Sequence, residues 1–72
     1  MGAEEIDFEV DGVGFVLRVF PDPSGLRGQV FSGDEKVAGV QIYHREDREE
    51  LLRQARTDRA VRRAAARMAA AG

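Results

Sequence analysis

Apolar and acidic residues alternate from Glu5 to Asp11, so Ile6, Phe8 and Val10 line one side of an extended strand and Glu5, Asp7, Glu9 and Asp11 the other. Asp11-Gly12 then interrupts the alternation. Asp and Gly tolerate the positive φ angles of a two-residue type I′ turn, and Asp-Gly between alternating runs is a strong hairpin signal. A two-residue loop pairs Val10 with Val13, Phe8 with Phe15 and Ile6 with Leu17, and all six apolar side chains then share one face. Turn chemistry and hydrophobic pattern predict the same register.

The first strand is expected over about 5–10 and the second over about 13–20, where Pro21-Asp22-Pro23-Ser24-Gly25 ends it because proline cannot donate to a ladder. A third is expected near 26–32 and a fourth over about 36–43, after the turn at Ser32-Gly33-Asp34-Glu35-Lys36. Two registers stay open for this last pair. A three-residue loop puts Ala38, Val40 and Ile42 on the face of Phe15 and Leu17, whereas a two- or four-residue loop puts them on the opposite face.

A helix is expected over about 46–70, with Glu46, Asp47, Glu49 and Glu50 at the positive end of its dipole. Leu51, Leu52 and Ala55 can sit on the sheet. At 100° per residue, however, Val61, Ala64, Ala65 and Met68 fall on a face rotated by roughly a quarter turn or more. Either the helix breaks near Thr57-Asp58, both capping residue types, or its second half faces something other than its own sheet. Unbroken, it would be a rod of about 37 Å against a sheet about 15–20 Å on a side. The expected fold is α+β, a single small domain over 1–72. It is a four-stranded antiparallel meander, three-stranded at the least, followed by one long C-terminal helix.

A chain of 72 residues buries only roughly 60% of its unfolded surface. Small scaffolds commonly add disulfides, a metal or a partner subunit. There is no cysteine and one histidine, His44, which leaves association as the expected supplement. A composition without cysteine fits a reducing compartment. Met1-Gly2-Ala3-Glu4-Glu5 lacks the basic and apolar regions of a secretion signal, and no run reaches the roughly 18 apolar residues of a membrane span. The expectation is a cytoplasmic protein without membrane contact.

Little chemistry is on offer. Ser24 and Ser32 fall in turns, Gly12-Val13-Gly14 is a lone G-x-G without a following helix, and the acidic pairs are adjacent rather than facing. With a single histidine neither a catalytic triad nor a zinc ligand set can be drafted, and His44 reads as a capping or solvent-facing residue. No catalytic, metal or cofactor residue and no small-molecule substrate is expected.

The net charge of −2 hides an asymmetry: residues 1–50 carry −7 and residues 51–72 carry +5. The ridge Glu5, Asp7, Glu9 and Asp11 suits protection of an edge strand, or, as a lesser alternative, an acidic inhibitor that mimics nucleic acid. Arg53, Arg56, Arg59, Arg63 and Arg67 fall within a helical stripe about 120° wide, which can neutralise phosphates or meet an acidic partner. A solvated helix face has the same pattern, with Glu49 and Arg53 as an ordinary i,i+4 pair. Arginine stands far above lysine and alanine is abundant, a usage common in high-GC bacterial genomes.

If Phe8, Phe15 and Leu17 face the helix, Val16, Phe20 and Phe31 point to the other side of the sheet, where no second helix is available. Large apolar residues exposed together mark an interface. With Val61, Ala64 and Met68 on the helix, they form the expected protein interface. The expected function is a small non-catalytic interaction module, a homodimer or a subunit or regulator in a larger bacterial or phage assembly. In a symmetric dimer the arginines of one subunit would meet the carboxylates of the other.

Four antiparallel strands followed by a helix resemble the transcriptional-coactivator-type single-stranded-DNA binders. The likeness runs through Gly39-Val40-Gln41-Ile42, Glu50-Leu51-Leu52 and Asp58-Arg59-Ala60-Val61-Arg62. The resemblance implies dimers paired through their helices and a sheet that contacts nucleic acid. Here the sheet supplies Arg18, Arg27 and Lys36 beside the acidic ridge, so nucleic-acid binding through the Arg-rich helix is the alternative function.

Overall fold

A computed structural model describes residues 4–71; the N-terminal Met1-Gly2-Ala3 read above lies outside them. Strands β1 (Glu4–Val10), β2 (Val13–Asp22), β3 (Gly25–Ser32) and β4 (Glu35–Tyr43) form one antiparallel sheet in the order β1-β2-β3-β4. Helices α1 (Arg48–Thr57) and α2 (Arg59–Ala71) follow. The α+β meander is thus four-stranded, and the C-terminal helix is broken at Asp58, the first of the two alternatives that its apolar stripes left open.

The first hairpin has the register that its turn dictates, with Val10 opposite Val13, Phe8 opposite Phe15 and Ile6 opposite Leu17. Asp11 and Gly12 both take positive φ, 53° and 81°, as a type I′ turn requires. The Phe8 and Phe15 rings stack at 5.7 Å.

β2 continues past Phe20 to Asp22, two residues further than proline chemistry predicts. Among the described residues β1 ends opposite Val19, and Pro21 pairs with Leu26 of β3. Among the described residues Pro21 therefore has a bonded neighbour on one side only, the position at which a strand tolerates a missing N–H. Pro23 and Ser24 make the turn, and the Ser24 N–H and hydroxyl both donate to the Asp22 carboxylate, at 2.9 and 2.6 Å. These bonds hold the Asp22 carboxyl below its ordinary range.

The β3–β4 register resolves the open alternative in a way that loop length alone cannot. Gly33 and Asp34 make a two-residue turn, with Ser32 opposite Glu35 and Phe31 opposite Lys36. That turn would send Ala38, Val40 and Ile42 to the outer face. Between Val30 and Phe31 the register shifts, so Val30 faces Ala38 and Val37 is the extra residue of a β-bulge. One inserted residue reverses side-chain parity. Val40 and Ile42 accordingly join Phe15, Leu17, Val19, Leu26 and Val30 in the core, with Ala38 packed at its margin.

Asp47 caps α1, its carboxylate accepting from the Glu49 and Glu50 N–H groups. Thr57 bonds back to the Arg53 carbonyl at 2.9 Å, and Asp58 leaves helical geometry with φ −62° and ψ 137°. The Asp58 carboxylate then accepts from the Ala60 and Val61 N–H groups, at 2.8 and 3.2 Å. It is the N-cap that starts α2. The break re-aims the second helix so that Val61, Ala64 and Ala65 are buried together with Leu51 and Ala55 of α1. Both apolar stripes reach the same core, which a straight helix could not achieve.

At the sheet centre, Gly28 faces this helix layer. A Cβ there would lie 2.7 Å from Leu17 Cδ1, 3.1 Å from Val40 Cγ2 and 3.2 Å from Leu51 Cδ2. Its missing side chain is the notch that lets Leu51 close on the sheet.

Candidate interaction face

With both helices on one side, the other face of the sheet carries no layer among the described residues. Strand alternation puts Glu5, Asp7 and Glu9 of β1, Gly14, Val16, Arg18 and Phe20 of β2, and Arg27, Gln29 and Phe31 of β3 on this open face. β4 adds Lys36, Gly39, Gln41 and Tyr43. Val16, Phe20 and Phe31 are half-buried and Tyr43 is 59% exposed. Val16, Phe20 and Phe31 thus share one side of the sheet, as their spacing along β2 and β3 predicts, and Tyr43 joins them because the bulge sets the side it takes.

Cations lie over the two phenylalanines. The Arg18 guanidinium sits 5.3 Å from the Phe31 ring centre, and that of Arg27 5.8 Å from the Phe20 ring centre. Such contacts contribute about 0.5–1 kcal/mol each at exposed sites. They cover part of both rings and leave an amphipathic surface of aromatic, guanidinium and amide groups. Beside it, Asp7, Gly14, Val16, Phe31 and Gly33 line a depression of about 370 Å³, open where Gly14 presents no side chain.

The acidic ridge is shorter than its spacing promised. Glu5, Asp7 and Glu9 form it, and Asp11 is drawn into the turn. Arg18 bonds Glu5 at 2.9 Å, while Arg48 pairs with Glu4. Asp7 and Glu9 have no ion-pair partner among the described residues.

The helical part of the expected interface divides. Val61 and Ala64 are 0% and 3% exposed, inside the chain's own core, and offer nothing to a partner. On a continuous helix these side chains would point away from the sheet; the break at Asp58 turns them inward. Met68 is 44% exposed, accepting a 3.6 Å contact from the Ser32 hydroxyl.

The arginines are exposed throughout. Arg53 is tied to Glu50, whose carboxyl it holds below the ordinary range, whereas Arg56, Arg59, Arg63 and Arg67 have no ion pair among the described residues. The break splits the single stripe between two helices, and Arg62 joins Arg59 and Arg63 around a depression shared with Asp11 and Thr57. Helix arginines and ridge carboxylates lie on opposite sides of the sheet, so contact through the open face does not bring them together. His44 is exposed at the strand-to-helix junction with φ 65°, its N–H donating to the Ser24 carbonyl at 2.7 Å.

No described helix is long and apolar enough to cross a membrane. No family model, curated protein or solved structure matches the chain.

Proposed function

We propose that this chain is a small non-catalytic protein-interaction module whose working surface is the open face of its sheet, serving as a subunit or regulator in a larger bacterial or phage assembly. A cytoplasmic setting belongs to the same reading and rests on the cysteine-free composition. One observation carries it. The core is complete on the helix side, with Leu17, Val30, Leu51 and Val61 fully buried, yet Val16, Phe20 and Phe31 stay partly open on the far side. Large apolar side chains gathered on one uncovered face are what association surfaces present.

The test places a photo-reactive benzoylphenylalanine at Phe31 or at Ala66, an exposed position on α2, in the cells that express the protein. Irradiation is expected to give covalent protein adducts from position 31, whether to a second copy or to another protein, at several times the yield from position 66. No adduct from position 31, or equal yields from both, would refute the reading.

A further inference from the structure

We infer that the open face is covered by a second copy of this chain, the two sheets packing face to face about a twofold axis that runs parallel to the strands between β2 and β3. The inference rests on the reading that this face is a protein interface, and it names the occupant and the geometry.

The observation is a row of four residues running straight across the sheet. Asp7 is opposite Val16, Val16 opposite Phe31, and Phe31 opposite Lys36. Read from β1 to β4 the row is acid, apolar, apolar, base. It owes this order to the bulge beyond it, since Lys36 reaches the row through the tight Gly33-Asp34 turn while the rest of β4 is shifted by one.

A twofold axis parallel to the strands lays β1 over the partner's β4 and β2 over its β3, without moving positions along the strands. Asp7 then meets Lys36 of the second copy, Val16 meets Phe31, and the same contacts recur by symmetry. The row is complementary to itself under this operation. In the next row the Glu5–Arg18 ion pair is neutralised within each chain, and Glu5 comes over Gly39, where no side chain obstructs it. Phe20 comes over Arg27, already the partner of that ring within one chain.

The other face-to-face arrangement has its axis across the strands and stacks β1 on β1. It sets Asp7 against Asp7 and Glu5 against Glu9, a ridge of like charge on itself. Charge selects the first arrangement. Aligned sheets pack at about −30°, an offset that a long lysine side chain accommodates.

Four strands about 4.8 Å apart and seven to ten residues long give a face at the low end of specific interfaces. Association in the micromolar range is expected. Light scattering and sedimentation from about 10 μM to 1 mM should show the parent moving toward twice the 7.9 kDa of one chain.

The deciding experiment is a charge swap. Asp7→Lys alone and Lys36→Asp alone each create two like-charge contacts, and each should raise the dimer dissociation constant at least tenfold at low salt. Mixed in equal amounts, the two variants should form a heterodimer in native mass spectra, because every cross-contact is again between opposite charges. The double variant Asp7→Lys/Lys36→Asp should dimerise like the parent; both results also show that the substituted chains fold. A parent that stays monomeric at 1 mM, single variants that dimerise as well as the parent, or a mixture without heterodimer would each overturn the inference. A monomer whose position 31 still cross-links to a different protein removes the second copy and leaves the interaction reading in place.

Discussion

Gly28 shows how much a single missing side chain can decide. Three apolar groups from three elements, Leu17, Val40 and Leu51, close around the space that a Cβ would need. Gly28→Ala is expected to force those neighbours apart and destabilise the fold by about 1–3 kcal/mol, the usual cost of overpacking. Urea denaturation reads this as a lowered midpoint with an unchanged slope. Alanine at Gly14, on the opposite face, meets nothing within 4 Å and should leave the midpoint nearly where it is. In the sequence the two glycines look alike. What separates them is the face each occupies, and that becomes legible at Gly28 only once β3 is placed against β2 and β4.

Among the elements, the first hairpin was fully legible because Asp11-Gly12 and the alternation of Ile6, Phe8 and Val10 each demand the same two-residue loop. The β3–β4 pair was not. Its turn length and its apolar pattern conflict, and the Val37 bulge that reconciles them leaves no signature in residue type. The helix stands between these cases. Its two incompatible apolar stripes announce that something must give near Thr57-Asp58, but only the Asp58 cap shows that the chain bends rather than leaving Val61 and Ala64 outside. Asp58→Ala is accordingly expected to cost about 1 kcal/mol through the lost cap. Hydrogen exchange should show the loss concentrated in the first turn of α2, with α1 and the central strands protected as before.

For the whole molecule, the layering predicts two classes of apolar substitution. Leu51→Ala empties part of a core shared by sheet and helices, at about 2–5 kcal/mol. Phe20→Asp removes a partly open ring and its contact with Arg27, at about 1 kcal/mol or less. Thermal melts followed by circular dichroism on dilute protein should therefore separate the two widely. Phe20→Asp should act instead on association, lowering the apparent mass at high concentration. The uncovered face was legible from the sequence through Val16, Phe20 and Phe31. Its charge pattern was not, because Lys36 and Asp7 are joined in one row only by the pairing of all four strands.

The bulge at Val37 also acts as a parity bit for the fourth strand. The Gly33-Asp34 turn and the extra residue together set whether the even- or the odd-numbered side chains of that strand look inward. Adding or deleting one residue between Ser32 and Ala38 would therefore exchange the inner and outer identities of every position from Ala38 to Tyr43 at a stroke, and adding two would leave them unchanged. In descendants of this chain, length changes in that stretch should be tolerated in twos, or singly when the bulge is lost or regained in the same step.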